Sequence, residues 1–147
     1  MEIAVLGLGC FWGPEIKCSK VSGVIKTEVG YCGGNTKETT YEEVCTGKTN
    51  HAEVVKLDFD PKIISYEKIL EYFFEIHDST TLNSQGPDFG TQYRSEIFYL
   101  NDRQNQIANE VLDKENIKLS KKVVTKISLL KNYCASEEHN KKYLEKR

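Results

Sequence analysis

A short apolar run, Ile3 to Leu6, leads straight into Gly7-Leu8-Gly9-Cys10-Phe11-Trp12-Gly13-Pro14, and this junction constrains the fold more than any other feature of the chain. The apolar run reads as a buried strand. Gly7 and Gly9 allow a sharp turn with backbone angles that other residues avoid. Pro14 suits the first turn of a helix, where a missing N–H costs nothing. The spacing predicts a strand, a tight turn and a helix, with Cys10 at the turn beside the sole tryptophan, Trp12. A cysteine there lies near the positive end of a helix dipole, which lowers its pKa from ~8.5 and favours the nucleophilic thiolate. A cysteine isolated in a glycine-rich turn is more often structural and buried. The flanking glycines and aromatics tip Cys10 toward chemistry.

With 147 residues, the chain reads as a single domain, residues 1–147, large enough to bury a real core. Its apolar share of 39% and charged share of 29% are ordinary for a globular protein. A net charge of −2 and the absence of a basic stripe argue against a nucleic-acid partner. Lys114 to Lys126 is interleaved with acids and apolar residues and reads as a solvated face. No apolar run approaches the ~20 residues that span a bilayer, and no signal-peptide pattern opens the chain, so a cytoplasmic location is expected, without a membrane. Cys10, Cys18, Cys32, Cys45 and Cys134 form an odd set without metal-ligand spacing. No metal site is expected, and the cysteines read as reduced thiols.

Further elements follow from pattern. Pro14 to Val21 is expected as the first helix and Ile25 to Tyr31 as a second strand ended by Gly33-Gly34. Thr40 with Glu43 makes a capping box for a short helix stopping at Gly47. His51 to Phe59 alternates as a strand, and Ser65 caps an amphipathic helix carrying Tyr66, Ile69, Leu70, Phe73 and Phe74. Asp78 to Arg94 is polar and without periodicity, the mark of a functional loop. Ser95 to Leu100 reads as a strand, Asp102 as the cap of a helix with Ile107, Ala108, Val111 and Leu112, Val123 to Leu130 as a last strand, and Ser136 to Arg147 as a last helix. The expected class is α+β, a single two-layer domain with a mixed β-sheet packed by helices.

Glu53 is the most informative carboxyl. The strand period of two puts it on the same face as Val55, Leu57 and Phe59. Buried there, it would be held protonated and able to donate a proton; at an exposed strand end it would simply face water. Gln85 to Arg94 forms a glycine-rich loop offering Asp88, Tyr93 and amides, and Tyr41 opens the short capped helix. A lone tyrosine is more often half-buried core.

Five ordered segments then stand out together: Gly9-Cys10-Phe11-Trp12-Gly13, Gly30-Tyr31 with Gly33-Gly34, Thr40 to Gly47, His51-Ala52-Glu53-Val54-Val55, and Gly90 to Ser95. From about Ile3 to Leu100 this order resembles the A-type peptide methionine sulfoxide reductases. The resemblance implies that Cys10 attacks the sulfoxide sulfur and becomes a sulfenic acid as methionine leaves. It implies that Phe11 and Trp12 cradle the S-methyl group and that Glu53 protonates the sulfoxide oxygen. Tyr41 and Tyr93 would hydrogen-bond that oxygen, and Asp88 would belong to the substrate loop. It further implies the S epimer as substrate, free or in proteins, in protein repair and oxidative-stress defence, with no bound cofactor or metal. A sulfoxide oxygen leaves poorly until protonated, so acid donors facing a thiolate make chemical sense.

The sequence departs from the family where a glycine-rich tail often carries resolving cysteines; here Cys134 precedes the last expected helix. Ser79 stands where proline is common, Pro87 where asparagine is, and Asn140-Lys141 where a His-Gln pair is. The expectation is a one-cysteine, monomeric enzyme regenerated by an external thiol, thioredoxin or glutathione with glutaredoxin. Cys18 lies some 12 Å along the helix, too far for a disulfide without unwinding, while Cys32, Cys45 and Cys134 stay open as resolving thiols. Two other classes compete: a Cys–His hydrolase using His51 or His77, and a redox-sensing module that switches on Cys10.

Overall fold

The structure, a computed structural model, describes residues 2–9, 12–34, 51–77, 79–81, 83–85, 88–120 and 123–135. The expected helices over 40–47 and 136–147 lie outside these residues. The first strand, β1 (Glu2–Leu8), is followed by α1 (Trp12–Ser19), β2 (Val24–Cys32) and β3 (Ala52–Phe59). Next come α2 (Tyr66–Glu75), β4 (Ser84–Gln85), β5 (Asp88–Phe89), a 3-10 turn (Thr91–Tyr93) and β6 (Ser95–Tyr99). The described chain ends with α3 (Asp102–Lys118), β7 (Lys126–Leu129) and β8 (Cys134–Ala135).

Among the described residues, six strands form one mixed sheet in the order β7-β6-β1-β3-β2-β8, with only β6 and β7 parallel. Side-chain alternation splits its core in two. Leu6, Tyr31, Val55, Leu57 and Ile97 point to one face, where α1, α2 and α3 cover them with Cys18, Leu70, Phe73 and Ala108. Val5, Cys32, Ala52, Val54 and Phe98 point to the other and form a smaller cluster under Leu130 and Tyr133.

Helix α2 follows its sequence pattern fully. Ser65 in extended conformation accepts from the Lys68 N–H, and Tyr66, Ile69, Leu70, Phe73 and Phe74 are the buried face. Elsewhere the elements shift. Helix α1 starts two residues before Pro14, which still falls in the first turn and costs no hydrogen bond. The cap of α3 is Asn101 rather than Asp102, because the Asn101 side chain accepts from the Gln104 N–H. Asp102 then places its charge at the positive helix end. The last strand is shorter than Val123 to Leu130: the Val124 N–H turns away to donate to the Ser79 carbonyl. The loop from Asp78 to Arg94 is not structureless. Asn83 (φ 51°) and Gly90 (φ 132°) bracket a small β4–β5 hairpin, closed by the Gly90 N–H donating to the Asn83 carbonyl.

Candidate active site

One row across the sheet gathers the chemistry. Cys134 of β8 pairs with Tyr31 of β2, and Tyr31 with Glu53 of β3. The β1–β3 register sets Leu6 opposite Val55, so two residues on it brings Leu8 level with Glu53, and Leu8 pairs with Ser95 of β6. At this end of the sheet β1 gives way to the turn before Cys10, and β6 begins after Gln92 and Tyr93. Gly9 turns with φ 96°, and a Cβ there would sit 2.6 Å from the Gln85 side chain. Only glycine lets the β4–β5 hairpin close against that turn.

Glu53 is 0% exposed, so it does not face water. Burial in such surroundings disfavours the ionised form of a carboxyl group. Gln92, also buried, donates from Nε2 to Glu53 Oε2 at 3.4 Å. Tyr93 closes the 3-10 turn half-buried, its N–H donating to the Gly90 carbonyl. Asp88 stands in β5 and Trp12 opens α1. Cys10, Phe11 and Tyr41 lie outside the described residues. The structure thus brings Glu53 and the Tyr93 turn to one end of the sheet.

Several buried polar groups escaped the sequence reading. Arg94 Nε donates to Glu96 Oε1 at 2.6 Å, and Ser128 of β7 donates to Glu96 Oε2 at 2.6 Å. The signal was present, since residues two apart on a strand share a face. On the opposite face of β6, Ser95 Oγ bonds both Thr125 Oγ1 and His77 Nε2 at 2.7 Å. His77 Nδ1 faces the Phe73 carbonyl, which only accepts, so Nδ1 carries the proton. Glu15, buried in the first turn of α1, accepts from Thr27 Oγ1 at 3.1 Å. His51 is buried as well, packed beside Gly34.

The described thiols differ in environment. Burial pushes Cys18 up to about 12, with the nearby Glu15 charge adding to the effect. Burial likewise pushes Cys32 up to about 11, although its thiol donates to the Lys131 carbonyl at 3.2 Å. Both are poor thiolates near neutral pH. Cys134 is only half-buried.

A mixed-sheet α+β domain with a fully buried acid, beside a glycine turn leading into a cysteine, is the build of a thiol-based oxidoreductase. The sequence profile of the peptide methionine sulfoxide reductases matches residues 2–147, and the chain belongs to that family. It is 79% identical over 147 residues to the peptide methionine sulfoxide reductase MsrA of Pelagibacter ubique, covering 100% of both chains. The crystal structure of reduced Mxr1 from Saccharomyces cerevisiae superposes with a TM-score of 0.95 at 36% identity, covering 99% of this chain and 85% of that one. Mxr1 is also solved in complex with Trx2, which matches with a TM-score of 0.70 at 26% identity over 95% of this chain and 83% of that one. The protein is therefore an enzyme that reduces methionine sulfoxide, and its fold is that of the family's solved members.

Proposed function

We propose that the reaction is a one-cysteine reduction of the S epimer, with Cys10 as nucleophile and Glu53 as acid. The observation that carries this reading is the complete burial of Glu53 at the sheet end where β1 leads into the Cys10 turn. The Cys10 thiolate attacks the sulfoxide sulfur while Glu53 gives its proton to the oxygen. The S–O bond and the transient bond between Cys10 Sγ and the substrate sulfur then break as the hydroxyl passes to Sγ, leaving methionine and a sulfenic acid. Tyr41 and Tyr93 donate to the developing hydroxyl, supplementing the general acid. Phe11 and Trp12 hold the S-methyl group, and Asp88 contacts substrate from its loop. Two external thiols then return Cys10 to the thiol, releasing water and a disulfide. The Mxr1–Trx2 complex supports a thioredoxin as that reductant; glutathione with glutaredoxin serves the same chemistry. The enzyme works as a cytoplasmic monomer without a bound cofactor.

The test is a single turnover of reduced protein with methionine S-sulfoxide and no added reductant. One methionine per protein, with one extra oxygen on Cys10, is the expected result. One methionine with loss of two hydrogens and a mapped disulfide would replace the external thiol by an internal one. No methionine would overturn the assignment of the substrate epimer and nucleophile together.

A further inference from the structure

We propose that Gln92 is a positioning residue that holds the transferable proton of Glu53 on Oε1, by occupying Oε2 as a hydrogen-bond donor. The proposal rests on the reading of Glu53 as the acid. A neutral carboxyl group has one hydroxyl and one carbonyl oxygen, and the carbonyl is the better acceptor. The Gln92 amide aims Nε2 at Oε2, which favours the form with the hydroxyl at Oε1. Glu53 is 0% exposed and Gln92 4%, and in so dry a setting the preference is stronger than in water.

The chemistry of the side chain fits this task. A second carboxyl at position 92 would share a proton with Glu53, and a lysine would ionise it. An amide is neutral, so it orients the acid without discharging it. Its placement is also built in. Both faces of β6 are tied down just after the turn: Arg94 pairs with Glu96, which Ser128 also holds, and Ser95 is held by His77 and Thr125. Before the turn, Gly90 adopts a left-handed φ of 132°, its N–H donates to the Asn83 carbonyl and its carbonyl accepts from the Tyr93 N–H, so both ends of the segment carrying Gln92 are anchored. The donor is thus fixed before substrate arrives, and little reorganisation remains at the moment of proton transfer.

The experiment is a mutant cycle read by the single-turnover rate of methionine release at saturating sulfoxide. It compares the parent protein, Gln92→Met, Glu53→Gln and the double variant. Gln92→Met keeps roughly the length and removes the donor. It should lower the rate roughly tenfold at unchanged half-saturating sulfoxide, and should cause no further loss once Glu53 is already glutamine. Gln92→Asn, which keeps the amide but draws it back, should show the same dependence on Glu53 and serves if the methionine variant folds poorly. An equal loss in both backgrounds would overturn the proposal, because Gln92 would then act independently of Glu53. A faster Gln92→Met would also overturn it, showing that the amide had been accepting the proton. A Glu53→Gln variant as fast as the parent would instead remove the acid itself, a separate failure.

Discussion

The two faces of the sheet solve different problems. The helix-covered face is apolar throughout its centre: Leu6, Val55, Leu57 and Ile97 meet Leu70, Phe73 and Ala108, and the packing needs no polar partner. The other face buries a smaller apolar set, Val5, Cys32, Ala52, Val54 and Phe98. Beside it lies the Arg94–Glu96 pair, its side chains 10% and 5% exposed. A buried ion pair is weak support for stability, since desolvation offsets much of the attraction. Its position explains its presence better: it fixes the start of β6, directly after Gln92 and Tyr93. The centre of the helix-covered face supplies stability, while the Glu53 end of the sheet, where β6 is fixed from both faces, supplies geometry.

Cys10→Ser should separate these roles most sharply, abolishing methionine formation while leaving the thermal midpoint within a degree or two of the parent. Residual turnover would remove Cys10 from the mechanism. Phe73→Ala should do the reverse. Phe73 is 1% exposed in the helix-covered core, and its truncation should cost on the order of 3–5 kcal/mol in urea unfolding. The fraction that stays folded should keep its kcat; a lost kcat would mean that the two faces are not separable. Glu53→Gln comes next, with kcat lowered roughly 100-fold and some rate surviving through the phenols. Its stability should hold, because glutamine fills the same space as the neutral acid and its carbonyl can still accept from Gln92. An unfolded variant would instead make Glu53 a structural residue.

Much of this division was legible in the chain. Apolar residues at helical spacing from Tyr66 to Phe74, behind a serine cap, left α2 little choice. Alternation from His51 to Phe59 placed Glu53 on the same face as Val55, Leu57 and Phe59, although apolar Ala52 and Val54 on the other face hid that both sides are buried. What the sequence hid is non-local. The β4–β5 hairpin depends on a backbone bond between Asn83 and Gly90 and on Asn83 adopting φ 51°, which no periodicity signals. Strand β8 has two residues and exists by pairing with Gly30 and Tyr31, about a hundred positions earlier. Gln92 reads as one more polar loop residue until β3 and β6 come together through β1. Glu15 looks like a solvated first-turn acid, yet it is buried and accepts from Thr27 of the neighbouring strand.

The remaining thiols give the smallest expected effect and sharpen the comparison from the stability side. Cys18 in the helix-covered core is pushed up to about 12 and Cys32 in the opposite cluster to about 11, both from a usual 9.0 and both chiefly by burial. Below pH 9 the folded and unfolded chains both keep these protons, and their contribution does not change with pH. As pH rises further, the unfolded chain releases protons that the folded chain retains, so stability falls through the window from 9 up to about 11 for Cys32 and about 12 for Cys18. Removing the titrating group should flatten that fall. Urea unfolding of parent and Cys18→Ala at pH 8 and pH 10.5 should therefore show a smaller pH difference in the variant, whatever the cavity costs at either pH. An equal difference would mean that Cys18 is not held as a thiol by the fold. At neutral pH the same protonation should leave Cys18 and Cys32 unalkylated in the native protein. The double variant Cys18→Ala, Cys32→Ala should turn over with thioredoxin at the parent's rate, because neither thiol is ionised enough to attack a sulfenic acid. A stalled double variant would place the resolving thiol inside the core, where burial argues it should not be.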